Sequence, residues 1–99
     1  MIDAAEEAIR QAERARALLD NPLLAGAFAE LEADFLRVWR TSGTHAVAER
    51  EASWQMLRAL DALRGRLEAA VTNGAFALAR VEAENRARAA AQVNGDPLV

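Results

Sequence analysis

Two segments of this chain carry large apolar residues at alternating spacings of four and three, and a short hydrophilic stretch joins them. The first holds Leu24, Phe28, Leu31, Phe35 and Val38. The second holds Met56, Leu60, Leu63, Leu67 and Ala70, flanked by Leu57 and Val71. This spacing keeps one stripe of a helix facing a neighbouring helix along its whole length. Between the segments, "RTSGTH" ends the first helix: Gly43 reads as its left-handed terminal residue and Thr44 as the cap of the next. A connection this short makes its two helices antiparallel neighbours. The pattern therefore predicts an all-α chain built on an antiparallel helical hairpin, helices 2 and 3, over residues 22–72.

Shorter helices are expected on either side. Asp3 and Glu6 fit a capping box, and helix 1 follows from Ala4 to Leu19 with acids early and arginines late, as the helix dipole favours. Its apolar stripe of Ile2, Ala5, Ile9, Ala12 and Leu19 is narrow and supplies little hydrophobic energy. Asn21-Pro22 then reads as an N-cap followed by proline at the first helical position, where its missing N–H costs nothing. Helix 3 is expected from His45 to Val71, and "TNG" at Thr72–Gly74 is expected to break it. An alanine-rich helix 4 resumes at Ala75. Asn94-Gly95-Asp96-Pro97 reads as a turn into a flexible tail, so residues 1–93 form a single helical domain and 94–99 the tail.

Helix 2 carries more apolar surface than one neighbour can cover. Leu23, Leu36 and Trp39 widen its face, while Val47 and Trp54 lie off the stripe of helix 3, in line with Gly65. A glycine inside a helix costs about 1 kcal/mol relative to alanine, and close approach of another backbone would compensate. Leu23, Leu36, Trp39, Val47, Trp54 and Gly65 are thus the candidate surface for a homo-oligomer, against the plainer reading that large apolar residues form an internal core.

Composition narrows the chemistry. There is no cysteine, which excludes a disulfide framework and thiolate metal sites. The first residues carry acids where a signal peptide carries a basic start and an apolar run, and no stretch reaches the roughly eighteen apolar residues of a membrane span. A cytoplasmic protein without a membrane partner is expected. The single histidine, His45, reads as a solvated residue at a helix start. Glu30 with Asp34 lies one turn apart, as helical metal ligands would, but such pairs are common on charged helix faces. There is no glycine-rich phosphate loop, nucleophile elbow or HExxH. The expectation is no enzyme, no catalytic residue, no metal and no cofactor.

Net charge is −3, and arginine supplies all the cationic side chains. Overall attraction to nucleic acid is therefore weak. The arginines of the C-terminal half, Arg64, Arg66, Arg80, Arg86 and Arg88, are the candidate DNA contacts, the bland alternative being pairs with glutamates on their own helix. Repetition around a symmetric assembly would concentrate such a cluster into a basic band.

"RALLDNPLLAGAFAELEADFLRVWRTS" followed by "EREASWQMLRALDALRGRLEAAVTNG" resembles the small terminase subunits of tailed phages and gene transfer agents. The likeness covers roughly residues 16 to 81: a leucine-proline helix start, an acidic aromatic helix, and a long helix entered through Glu49, Arg50 and Trp54. It implies a ring-forming homo-oligomer that grips double-stranded DNA and recruits or regulates a large terminase ATPase and nuclease. The chain departs from the family pattern in having no clear N-terminal helix-turn-helix and no C-terminal strand segment. Weak, non-specific DNA binding is the corresponding expectation. The rival class is a helical-hairpin homodimer acting as a protein–protein interaction module. In its WXG version Trp39 would be followed by x-Gly, where this chain has "RTSG".

Overall fold

A computed structural model describes residues 3–94, with side chains described as far as residue 92. It is all-helical, with three helices and no strand among the described residues: α1 Ala4–Leu19, α2 Pro22–Thr41 and α3 Val47–Asn94. The expected apolar role of Ile2 lies outside the described residues, as does the expected tail at 94–99 except for Asn94, which closes α3.

The N-terminal boundaries follow from capping. The Asp3 carboxylate accepts a hydrogen bond from the Glu6 backbone N–H at 2.8 Å and so satisfies one of the free donors of the first turn. At the α1–α2 junction the Asn21 side-chain oxygen accepts from the N–H groups of Leu23 and Leu24, at 2.8 and 3.2 Å, while Pro22 occupies the first turn of α2. α2 ends at Ser42 in extended backbone, and no glycine among the described residues has positive φ. Gly43 is therefore not the left-handed stop expected. The reversal is instead a turn in which Ala46 N–H donates to the Gly43 carbonyl at 3.0 Å, and the Arg50 guanidinium donates to that same oxygen at 2.6 Å.

The largest difference from expectation is at Thr72–Gly74, where α3 runs through without interruption and no separate fourth helix forms. Gly74 is a packing residue. A Cβ built there would lie 2.1 Å from the Ala12 Cβ and 2.9 Å from the Ala8 carbonyl oxygen, so the missing side chain is what lets α1 approach. The 48 residues of α3, at 1.5 Å each, make a helix about 72 Å long, most of the 83 Å length of a rod 24 by 23 Å across. α2 and then α1 lie end to end along it and antiparallel to it. Phe28 sits by Arg64, Ala12 by Gly74, and Ala4 and Ala5 by Ala77 and Arg80. From Glu82 to Gln92 every residue of α3 is exposed.

One seven-residue repeat, entering α3 from the residue just before it, faces both shorter helices. Ala46, Ser53, Leu60, Leu67, Gly74 and Val81 are all buried or half-buried, and so are Arg50, Leu57, Arg64 and Val71 on the companion line. A sustained seven-residue repeat is the spacing of a left-handed two-stranded coiled coil. This seam corrects the expected one: Met56 and Leu63 on α3, and Leu31 and Val38 on α2, are exposed. Leu60, Leu67 and Ala70 stay inside. Opposite α2 the helix is rotated toward Leu57 and Arg64; opposite α1 burial shifts to the other side of the shared Leu60–Leu67–Gly74–Val81 line, where Ala70 and Ala77 are inside and Leu78, seven residues after Val71, is 45% exposed.

Candidate functional site

The interior of the rod is thin. Its buried apolar residues are Ala5, Ala15, Phe28, Leu60 and Ala77, and among the described residues no large side chain is fully buried. A compact protein of 10.7 kDa exposes about 5,500 Å², whereas this chain exposes 7717 Å². The excess of about 2,200 Å² is spread over the whole chain, the exposed run from Glu82 to Gln92 included, and apolar side chains beside the seam contribute part of it.

Those flanks can be placed from the helical period. At 100° per residue, Met56 and Leu63 fall about 70° to one side of the α3 seam, and Val47 and Trp54 about as far to the other. On α2, Leu31 and Val38 fall to one side of the Phe28–Phe35 line, and Leu36, with Trp39 nearer the line, to the other. Because the helices are antiparallel, equal angular offsets lie on the same side of the pair. Leu31, Val38, Met56 and Leu63 therefore share one flank, and Leu36, Trp39, Val47 and Trp54 share the opposite one. All eight side chains are between 37% and 57% exposed. The tryptophan flank holds both tryptophans of the chain.

Of the residues singled out in the sequence as an assembly surface, the structure thus brings together Leu36, Trp39, Val47 and Trp54. Leu23 stands apart at the start of α2, 82% exposed. A Cβ added to Gly65 would meet nothing within 4 Å, so no backbone of its own chain approaches it. The other flank escapes a reading of the sequence because its four residues also fit an internal seam. The signal that separates the two is the line Arg50, Leu57, Arg64 and Val71, whose arginines look too polar for a seam when read alone.

Arg64 shows how a charged residue enters that seam. Its guanidinium donates to the Glu32 carboxylate at 2.6 Å and lies over the Phe28 ring, 5.2 Å from the centroid. Its charge is engaged within the fold. Arg66, Arg80, Arg86 and Arg88 are exposed, and Arg80 approaches Glu84 only to 3.9 Å. Arg66 and Arg80, fourteen residues apart, share a face, whereas Arg86 and Arg88 project about 160° from each other. The five arginines do not form one track on a single chain.

Between α1 and α3 lies an open groove of about 460 Å³ lined by Ile9, Ala12, Val71 and Leu78, with Glu13, Arg16 and Asp20 as its charged residues. No cluster of three or more His, Cys, Asp or Glu suited to a metal ion occurs among the described residues. His45 is exposed in the α2–α3 turn, and Asp34 pairs with Arg37. No described helix is long and apolar enough to cross a membrane.

No protein family, curated protein or solved structure matches the chain.

Proposed function

We propose that this protein works as an assembly of identical chains: a small-terminase-like DNA-packaging component whose ring holds duplex DNA weakly, without sequence preference, and recruits or regulates a large ATPase and nuclease subunit. The observation that carries the assembly is the pair of apolar flanks on a rod with almost no interior. Apolar side chains gathered on both borders of a helix pair suit association, and a chain of this size with so thin a core gains stability by covering them. The building block is α2 packed antiparallel on the first half of α3. α1 and the C-terminal half of α3 extend it.

The packaging role rests on the resemblance of residues 16–81 to small terminase subunits. Its DNA contacts fall to Arg66, Arg80, Arg86 and Arg88, since Arg64 is occupied by Glu32. Four scattered guanidiniums on a chain of net charge −3 bind phosphate poorly alone. Repetition around a ring turns weak phosphate contacts into avidity, and the binding then falls steeply with salt.

Native mass spectrometry tests the assembly, and anisotropy titrations with unrelated duplexes at two salt concentrations test the DNA contact. A closed oligomer of more than two chains with salt-sensitive, sequence-indifferent binding is expected. A strict monomer at tens of micromolar refutes the assembly, and a stable two-chain species favours the homodimeric interaction module. Salt-resistant binding to one sequence contradicts the proposed mode of DNA contact.

A further inference from the structure

We infer that two copies of this chain pair antiparallel through the back of α3, with Phe76 of each copy seated on the partner's Gly65. This goes beyond the proposed function and rests only on its claim of self-assembly. Both α2–α3 flanks stay free for further copies.

The line through Leu60, Leu67, Gly74 and Val81 faces the two shorter helices. In a seven-residue repeat each residue advances about 103°. Ala62, Ala69 and Phe76 therefore lie about 154° from that line on one side, and Gly65, Thr72 and Ala79 about 154° on the other. The strip they form points directly away from α1 and α2, and all six residues are exposed. Two of them are costly in a single chain. Phe76 is 71% exposed. Gly65 weakens the helix relative to alanine, yet a Cβ there would meet nothing within 4 Å. A knob and a hollow eleven residues apart on one straight helix cannot meet each other, whereas two copies can join them twice.

The register that joins them is singular. Setting Phe76 level with the partner's Gly65 puts the two-fold axis between Ala70 and Val71, which is also the midpoint of α3 Val47–Asn94. The two helices then overlap end to end, although nothing about Phe76 or Gly65 fixes where α3 begins or stops. The same register sets Ala62 against the partner's Ala79 and Ala69 against the partner's Thr72, small on small, as close approach of two backbones requires. It also places Arg58, on the Gly65 line, beside the partner's Glu82. A parallel pair would instead set Phe76 against Phe76 and Arg86 against Arg86. The area suffices: a strip about 11 Å wide along about 72 Å of helix is about 800 Å² per chain, the share a standard interface takes from each partner.

Complementation tests the contact. Gly65→Phe fills the hollow and Phe76→Ala removes the knob, both at exposed positions, so far-UV circular dichroism should show the parental helicity. Each variant alone spoils a two-fold contact twice, whereas a mixed pair again sets one phenylalanine against one small residue at both places. Native mass spectrometry should find fewer copies per particle for either variant alone and the parental number in the equimolar mixture. Register is read separately in this cysteine-free chain, which also decides the matter where either variant loses helicity. Ala62→Cys and Ala79→Cys should form an interchain disulfide when mixed and oxidised, and neither should link to itself, since like positions lie about 25 Å apart along the pair. If Gly65→Phe assembles as the parent does, if the mixture regains nothing, or if the cysteines link alone or fail to link together, the antiparallel pairing is overturned while self-assembly stands. A parent chain that is itself monomeric refutes the assembly reading instead.

Discussion

Two helical glycines of α3 should respond to the same substitution with opposite sign. In an open helix interior, glycine to alanine removes backbone freedom from the unfolded chain and gains about 1 kcal/mol. Gly65 meets this condition, since nothing lies within 4 Å of its would-be Cβ. Gly74 does not. Its Cβ would sit 2.1 Å from the Ala12 Cβ, with the Ala8 carbonyl oxygen at 2.9 Å and the Ala12 Cα at 3.4 Å. Carbon atoms pack at about 3.5–4.0 Å, so α1 would have to retreat by about 1.5 Å. None of these atoms can rotate aside, being backbone or the Cβ fixed to it. Overpacking of this kind costs about 1–3 kcal/mol, which cancels or exceeds the propensity gain. A destabilisation of 1 kcal/mol moves the melting temperature of a domain this size by about 4–8 °C. Thermal melts at low micromolar concentration should therefore show Gly65→Ala raised by about that amount and Gly74→Ala at or below the parent. Amide exchange in α1 should quicken in Gly74→Ala alone. An equal rise in melting temperature for both variants would refute the close approach of α1 to α3, and with it the reason given for an unbroken α3.

The seam and its flanks should separate in the same assay. Phe28→Ala or Leu60→Ala, at buried positions, should cost about 2–5 kcal/mol, whereas Leu31→Ala or Leu63→Ala should cost the single chain well below that and act on assembly; urea titrations below and above the association range distinguish the two. A double-mutant cycle between Glu32 and Arg64, whose side chains remain 31% and 37% exposed, should return a coupling of about 0.5–1 kcal/mol. Arg64→Ala should cost more than Glu32→Ala, because it also removes the stacking over Phe28. Asn21→Ala should lose about 1 kcal/mol through the orphaned N–H groups of Leu23 and Leu24, with Asn21→Ser retaining most of it.

Local chemistry is legible in the sequence wherever a residue acts on its own backbone. Asp3, Asn21 and Pro22 mark the start of α1 and of α2 because a cap or a proline needs only the next few residues to take effect. Gly74 is not legible in the same way. A glycine preceded by asparagine is a turn signal, whereas this one sits inside a helix and packs against Ala12, far earlier in the chain, a contact no local pattern reports. The seam is hidden for a different reason. On α3 the residues Leu60 and Leu67 belong equally to a line continued by Met56, Leu63 and Ala70 and to one continued by Leu57, Arg64 and Val71. Periodicity alone cannot rank two seams that share members. The apolar count favours the first; opposite α2 the structure takes the second, where Arg64 finds Glu32 and Phe28, and opposite α1 it takes the first, with Ala70 and Ala77 inside.

That ambiguity has a physical meaning under the assembly proposed. A helix that must face one neighbour needs a single apolar stripe, and residues beside it are free to be polar. A helix that must face its own chain and two further copies needs apolar residues on the stripe and on both borders. α3 has that pattern over its first half: Leu57 and Leu60 face α2, Met56 and Leu63 lie on one border, and Val47 and Trp54 on the other. Over its second half the borders turn to alanine, arginine and glutamate, with Phe76, on the back of the helix, the large apolar exception and Leu78, on the line of Val71, also exposed. Contact through the borders should accordingly concentrate on the α2 half of the rod, and α1 should project from the assembly. Limited proteolysis of the oligomer tests this, since a projecting helix is cut first. Cleavage within residues 4–19 with residues 24–63 protected is the expected order; early cleavage between residues 47 and 63 would place the interface elsewhere.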